Sequence, residues 1–293
     1  NIRCTFFDIP LVKQPYTMRT ITVYTLFFLA LTACTNDNTT ATEPKKSAEP
    51  KADTTLVAQP TVVPSGLRLK PFKFSDENCE LASTEDFELD EGWCNRREVS
   101  GLSVSLNNSS VAQKINALIC KEITGKVGNM QTIKRFVSDI KTLSNTDGEM
   151  EYIQDEYSCA LIDSSNTYMS MGVSLYFYAM GAAHGQPAFQ VLNVDLITGN
   201  KISLADLFVN NYRPSLKALA KRKFLEQNGN GDWWFVTGEQ VFDLPETFAI
   251  SRKGITFTYQ PYEVGPYAAG APEVFLSKKE LAKWLKENPY LIP

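Results

Sequence analysis

Histidine is almost absent from this sequence: its 293 residues include one, His184. Metal hydrolases and structural zinc sites use several histidines or closely paired cysteines. The cysteines show no CxxC spacing, so we expect no metal and no cofactor. A G-x-S-x-G motif, which presents the nucleophile of many serine hydrolases, is also missing. No catalytic residue is therefore predicted from a motif.

Long apolar runs are scarce as well. The segment 21–31, ITVYTLFFLAL, is shorter than the roughly 20 apolar residues that a spanning helix needs. It follows Met18 and Arg19 and leads to the small residues before Cys34, an order typical of a bacterial lipoprotein signal peptide. We expect cleavage before Cys34 and lipidation of that cysteine. By resemblance to Gram-negative lipoproteins, Thr35 favours the outer membrane, facing the periplasm or the surface. The alternative is a buried core segment that ends in a chance cysteine.

The next segment lacks any strand or helix period. Residues 35–66 are rich in Thr, Pro, Ala and Lys. Such a segment cannot bury enough apolar surface to offset its ordering entropy, so it predicts a disordered tether. The predicted organisation is upstream residues and signal peptide at 1–33, lipidated cysteine and disordered linker at 34–66, an N-terminal half at 67–165 and a C-terminal half at 166–293.

An excess of positive charge is missing too. The formal net charge is −4, and residues 1–33 carry three cations against one acid, so their removal leaves −6. A mildly acidic domain argues against nucleic acid as a partner and suits a basic protein.

Four cysteines remain beyond Cys34, and an even number in an exported protein indicates disulfides. Cys79, Cys94, Cys120 and Cys159 allow three connectivities. We favour Cys79–Cys94 and Cys120–Cys159, because each pair joins neighbours in sequence.

Apolar periodicity predicts the secondary structure. Alternation by two predicts strands at 67–74, 98–106, 151–165, 167–180, 188–196 and 272–276, and a hairpin at 247–260. Helical spacing predicts helices at 109–123, 130–143, 203–208 and 212–228, and a terminal helix after Ser277. The predicted N-caps are Ser109 or Ser110, Ser203 and Ser277. Because strands and helices are segregated and hairpins dominate, the fold class is α+β, an antiparallel sheet with helices packed on it.

Two segments resemble a known family. AMGAAHGQPAFQVLNVDLITGNKISLADLF at 179–208 and GITFTYQPYEVGPYAAGAPEVFL at 254–276 resemble the turn, hairpin and tyrosine-rich loop of the DUF3298 domain. The part at 67–165 is similar to a DUF4163 half. Relatives include ectodomains of anti-sigma factors that sense lysozyme, and a module that accompanies a peptidoglycan deacetylase. The resemblance therefore implies an envelope domain that meets a lysozyme-like protein or peptidoglycan. The lipoprotein signal departs from the sensors, which carry a membrane span and a cytosolic domain.

His184 lies in a Gly-rich turn. Gly181 and Gly185 permit positive φ, so the imidazole can bond the neighbouring backbone and anchor the turn. The alternative is an acid–base role.

The loop 259–273 is the other candidate. Tyr262 and Tyr267 bury large areas with few rotors, and proline stiffens the loop. Together with Glu263, Pro266 and His184 they form the predicted binding site. The alternative is a compact turn that packs on the sheet. Trp233 and Trp234 either stack on a sugar ring or pack in the core.

Three functions remain open. The first is a non-catalytic binding domain for a lysozyme-like protein or peptidoglycan. The second is a hydrolase that modifies cell-wall glycan, with His184 and Glu263 as acid and base. The third is a structural lipoprotein that contacts other envelope proteins. In each case the membrane is reached through the lipid anchor.

Overall fold

The computed structural model describes residues 66–79, 94–142, 153–179, 182–237 and 242–291. The predicted signal peptide, Cys34 and nearly all of the predicted tether lie outside these residues. Among the helices described, none is both long and apolar enough to cross a membrane.

Eight strands formed by these residues make two sheets. The larger sheet has the order β1 (Arg68–Asn78), β2 (Asn95–Ser105), β3 (Ile153–Ser164), β4 (Tyr168–Ala179) and β5 (Gln186–Asp195). The smaller sheet contains β6 (Phe248–Ser251), β7 (Gly254–Thr258) and β8 (Glu273–Ser277). The α+β prediction is confirmed. One pair departs from the antiparallel expectation, since β2 and β3 are parallel. Parallel neighbours need a crossover, which the helices between them provide.

The described helices are α1 (Ser109–Thr124), α2 (Met130–Ser138), α3 (Leu204–Leu207), α4 (Arg213–Asn228) and α5 (Lys278–Leu281). They begin at Asn or Ser caps, except α4, which follows Tyr212 without a side-chain cap bond. Ser203 and Ser277 cap α3 and α5 as predicted, each in a capping box. The predicted cap of α1 is wrong, because Asn108 accepts hydrogen bonds from the N–H groups of Ser110 and Val111. The terminal helix is also shorter than predicted and ends at Leu281.

The larger sheet separates two cores. On one face it packs against α1 and α2, around Val99, Ile115, Ile119, Met171 and Leu192. On the other face, β6 and the rest of the C-terminal part pack near Tyr168, Phe224 and Phe257. The boundary predicted after residue 165 falls between β3 and β4, which pair along most of their length.

Buried polar side chains attach the smaller sheet to the larger one. Asn193 of β5 donates to the carbonyl of Phe248 at 2.7 Å and accepts from the N–H of Ile250 at 3.1 Å. Asp163 accepts from the N–H of Arg252 at 2.7 Å and pairs with its guanidinium at 3.3 Å. Such groups are costly to leave unpaired in the core, so they determine where the β6–β7 hairpin lies.

The cysteines agree with half of the predicted pairing. Cys79 and Cys94 form a disulfide, as predicted. The predicted Cys120–Cys159 bridge is wrong, since both residues are buried free thiols. Cys120 lies near the end of α1 with its sulfur 3.5 Å from the carbonyl of Lys126. Cys159 instead packs against Gly101 of β2, where an added Cβ would lie 2.9 Å from the cysteine Cβ.

Candidate functional site

The loop 259–273 is attached to the edge of the larger sheet by Gln260. Its side-chain Nε2 donates to the carbonyl of Phe189 at 2.5 Å, and its Oε1 accepts from the N–H of the same residue at 2.9 Å. Thr247 also approaches the Phe189 carbonyl, with its Oγ1 at 3.4 Å. These bonds bring the tyrosines of the loop to the turn that carries His184.

His184 is exposed and lies flat against a tyrosine. Its ring stacks on Tyr267 with 3.9 Å between centroids and 23° between planes. Its Nδ1 is 3.0 Å from the carbonyl oxygen of Gly185. The hydroxyl of Tyr267 donates to that same oxygen at 2.7 Å. Two rings from distant segments therefore meet at one backbone carbonyl, which is the geometry of a turn anchor.

Tyr262 completes an aromatic surface. Its hydroxyl is 3.5 Å from Nε2 of His184, and its ring centroid is 5.7 Å from that of Tyr267. The side chain is 57% exposed. Its backbone has φ of +68°, a left-handed conformation that costs a residue with a side chain about 1–2 kcal/mol. We call His184, Tyr262 and Tyr267 the aromatic surface.

Glu263 is turned toward its own loop. Its Oε2 accepts from the N–H of Gln260 at 2.8 Å. Partial loss of hydration within the loop raises the pKa of its carboxyl, the bond from Gln260 opposes that rise, and the charge of Glu246 adds to it. Within the described part of the chain, no hydrogen bond joins Glu263 to His184. Pro266 precedes a 3₁₀ turn at Tyr267–Ala269 and accepts the Ala269 N–H at 2.9 Å.

Tyr176 belongs to this site, although the sequence analysis missed it. A Cβ added at Gly185 would lie 2.1 Å from Cζ of Tyr176, so the ring covers the bare glycine backbone. Tyr176 is 44% exposed. Its position in an alternating strand shortly before the His184 turn is the sequence signal that could have revealed it. Gln260 was missed as well, and no pattern in its segment indicates its contact.

The two tryptophans have different environments. Their rings stack with 4.2 Å between centroids. Trp234 is buried, and an added Cβ at Gly265 would lie 2.7 Å from its ring. Packing is therefore its role, while Trp233 remains half exposed.

Two surface depressions lie among other residues. One, of about 390 Å³, is lined by Ser215, Ala218, Leu219, Arg222, Glu280, Lys283 and Trp284. The other, of about 450 Å³, surrounds Asp195. Burial alone would raise the pKa of Asp195, but bonds from Tyr290, Thr198 and Ile197 together lower it. Its carboxylate oxygens are therefore occupied by hydrogen bonds within the fold.

Potential metal ligands are grouped at one place in the described ranges. Glu77 lies beside Cys79 and Cys94. The two sulfurs are bonded to each other, so neither is available as a thiolate ligand.

Comparison with known proteins finds a family similarity for part of the chain. Residues 205–279 match the family model described as "Protein of unknown function (DUF3298)". This range contains the loop with Tyr262, Glu263 and Tyr267, but not His184. No curated protein matches the sequence significantly.

Solved structures share the fold. A member of the DUF3298 family from Bacteroides fragilis superimposes with a TM-score of 0.63 at 18% identity, over 78% of this chain and 97% of that one. A DUF3298 family protein from Pseudomonas aeruginosa gives 0.56 at 17% identity, with the same coverage of 78% and 97%. At this identity the likeness concerns the fold alone. The family similarity is therefore carried by residues 205–279, and the two solved structures show that the fold is shared.

Proposed function

We propose that this protein is an envelope-anchored lipoprotein with a non-catalytic binding domain for a lysozyme-like protein or peptidoglycan. The observation that carries the proposal is the aromatic surface, in which exposed His184 is stacked on Tyr267 and reached by Tyr262. Pre-arranged aromatic rings lose little conformational entropy when a ligand covers them. Lipidation at Cys34 and a DUF4163-like half at 67–165 are parts of the same proposal.

The rigidity of the loop supports binding. Gln260 attaches it to the sheet through two hydrogen bonds. Tyr262 is kept in a left-handed backbone conformation although most of its ring is in solvent. Backbone strain of this kind concentrates at ligand sites, because the surrounding structure must enforce it.

The hydrolase alternative receives less support from the same contacts. A general acid or base must reach the proton that it transfers. Nδ1 of His184 is at the Gly185 carbonyl, and Nε2 is at the Tyr262 hydroxyl. Glu263 is engaged by Gln260. Nε2 of His184 would have to leave the Tyr262 hydroxyl before it could act on a glycan.

The net charge of the predicted mature chain fits a basic protein ligand. A charge of −6 accelerates encounter with a cation-rich partner at low salt, and added salt weakens this effect. Salt dependence of association is therefore expected for a lysozyme-like ligand and is weaker for peptidoglycan.

The test is a capture assay with the full-length chain. Immobilised lysozyme and insoluble peptidoglycan are offered separately, and released products are analysed for turnover. Tyr262→Ala should weaken capture, whereas Ile197→Ala, at a residue that is 65% exposed, serves as the control. Capture of neither ligand would overturn the proposal. Released glycan fragments that disappear with His184→Ala would favour the hydrolase, and capture of other envelope proteins alone would favour the structural role.

A further inference from the structure

The face of the larger sheet opposite α1 and α2 is covered by β6 at one end only, where Ser170 and Asp163 bond to the β6–β7 hairpin. Along β3, Asp155 and Tyr157 are buried, and Tyr157 packs edge-on against Phe136 of α2. The alternate residues Glu156 and Ser158 are exposed. Because side chains alternate along a strand, they project to the opposite side from the helices.

Strand pairing brings polar residues of this face into two rows. Glu98, Glu156 and Tyr176 are direct neighbours across β2, β3 and β4. Ser100, Ser158 and Ser174 form the next row. The hydroxyls of Ser158 and Ser174 are 2.5 Å apart. We call these six residues the open sheet face; adjacent strands place neighbours in each row about 4.8 Å apart.

The open sheet face is continuous with the aromatic surface. Tyr176 ends the first row, and its ring covers Gly185. The carbonyl of Gly185 accepts the hydroxyl of Tyr267. An extended ligand that lies on the tyrosines can therefore continue along the sheet.

The charges of this face are balanced. Glu98 forms ion pairs with Lys73 at 2.7 Å and Arg96 at 3.5 Å. These two cations offset Glu98 and Glu156, so the face does not attract a polyanion. Protein interfaces are depleted in Glu and Ser, the residues that dominate here. Hydroxyls and carboxylates in flat rows instead suit the many hydroxyl groups of a sugar chain, and an aromatic ring suits its apolar faces.

We infer that the ligand is an uncharged glycan strand, which binds across the open sheet face and the aromatic surface together. This inference rests on the proposed binding function. Of the two ligands proposed there, it selects the glycan of peptidoglycan over the lysozyme-like protein. It adds Tyr176, Glu156 and Ser174 to the binding residues.

The probes are chitin beads and a soluble chitin tetrasaccharide, titrated against the full-length chain. Glu156→Gln and Ser174→Ala should each weaken binding roughly three- to tenfold, as expected for a lost hydrogen bond. Glu287→Gln, at an exposed residue of the C-terminal segment, is the matched control and should bind normally. Melting curves check that every variant is folded.

The outcomes separate this inference from the proposed function. Glycan binding that both variants weaken supports it. Glycan binding that both variants leave unchanged overturns the assignment of the open sheet face. Capture of lysozyme that depends on Tyr262, without binding of either chitin probe, overturns the glycan ligand and leaves the proposed function standing. Binding of neither glycan nor protein overturns both.

Discussion

Gln260 takes the place of a neighbouring strand at Phe189. Its side-chain amide forms both hydrogen bonds that a backbone would form there, at 2.5 and 2.9 Å, although the two residues are 71 positions apart. Phe189 lies on β5, at the outer side of the larger sheet. This contact holds the tyrosine-rich loop beside the His184 turn, so the candidate site depends on it.

Gln260→Ala should release the loop and weaken ligand binding. The two lost hydrogen bonds predict a loss of stability of about 1–3 kcal/mol. Gln260→Glu should have a similar effect, because a carboxylate accepts the Phe189 N–H but faces its carbonyl without a proton. Hydrogen exchange at the Phe189 amide measures the change directly. Unchanged protection in both variants would show that the amide contact does not hold the loop.

His184→Ala should lower the melting temperature. The lost stack on Tyr267 is worth about 0.5–1.5 kcal/mol, which corresponds to a decrease of about 1–6 °C for a domain of this size. His184→Phe keeps a ring on Tyr267 and should melt close to the wild type. A fold unaffected by His184→Ala, combined with lost turnover on a glycan substrate, would contradict the anchor role.

Tyr262→Gly should separate binding from stability. Glycine adopts the observed φ of +68° without strain, whereas alanine does not. Both Tyr262→Gly and Tyr262→Ala should lose ligand affinity to a similar extent. The glycine variant should be more stable than the alanine variant by about 1 kcal/mol, as measured by denaturant unfolding. Equal stability of the two variants would indicate that the backbone is not strained at this position.

Glu263 should make a small contribution to the pH dependence of stability. Partial loss of hydration raises the pKa of its carboxyl in the folded state, so folding favours the protonated form. This contribution is present below the unfolded-state pKa and is lost as pH rises through the folded-state value. Glu263→Gln keeps the acceptor for the Gln260 N–H. Its stability relative to the wild type should increase between about pH 4 and pH 7 in thermal melts. A constant difference would contradict the direction of the pKa shift.

The thiols should differ in accessibility. Burial raises the pKa of Cys159 to about 12 and also raises that of Cys120. Alkylation of the native protein should therefore spare both residues, and denaturation should expose them. Mass mapping without reductant should find Cys79 linked to Cys94. A peptide that joins Cys120 to Cys159 would restore the pairing that the structure rejects.

Local patterns predicted much of the fold correctly. Alternation by two located the strands, and serine caps located the starts of α3 and α5. These features depend on interactions within a few residues, which a sequence displays directly. The Cys79–Cys94 bond was predicted from proximity in sequence. The same reasoning failed for Cys120 and Cys159, because proximity in sequence does not determine side-chain direction.

The candidate binding loop at 259–273 was nominated from its composition, because it is rich in tyrosine, proline and glycine. The sequence alone thus determined the α+β class and nominated Tyr262, Tyr267 and His184. Only the tertiary structure decided that these rings meet, that Tyr176 covers Gly185, and that β2 pairs in parallel with β3. Each depends on contacts between distant segments, such as the hydrogen bonds of Gln260 to Phe189, and no local period encodes the partner of a long-range hydrogen bond.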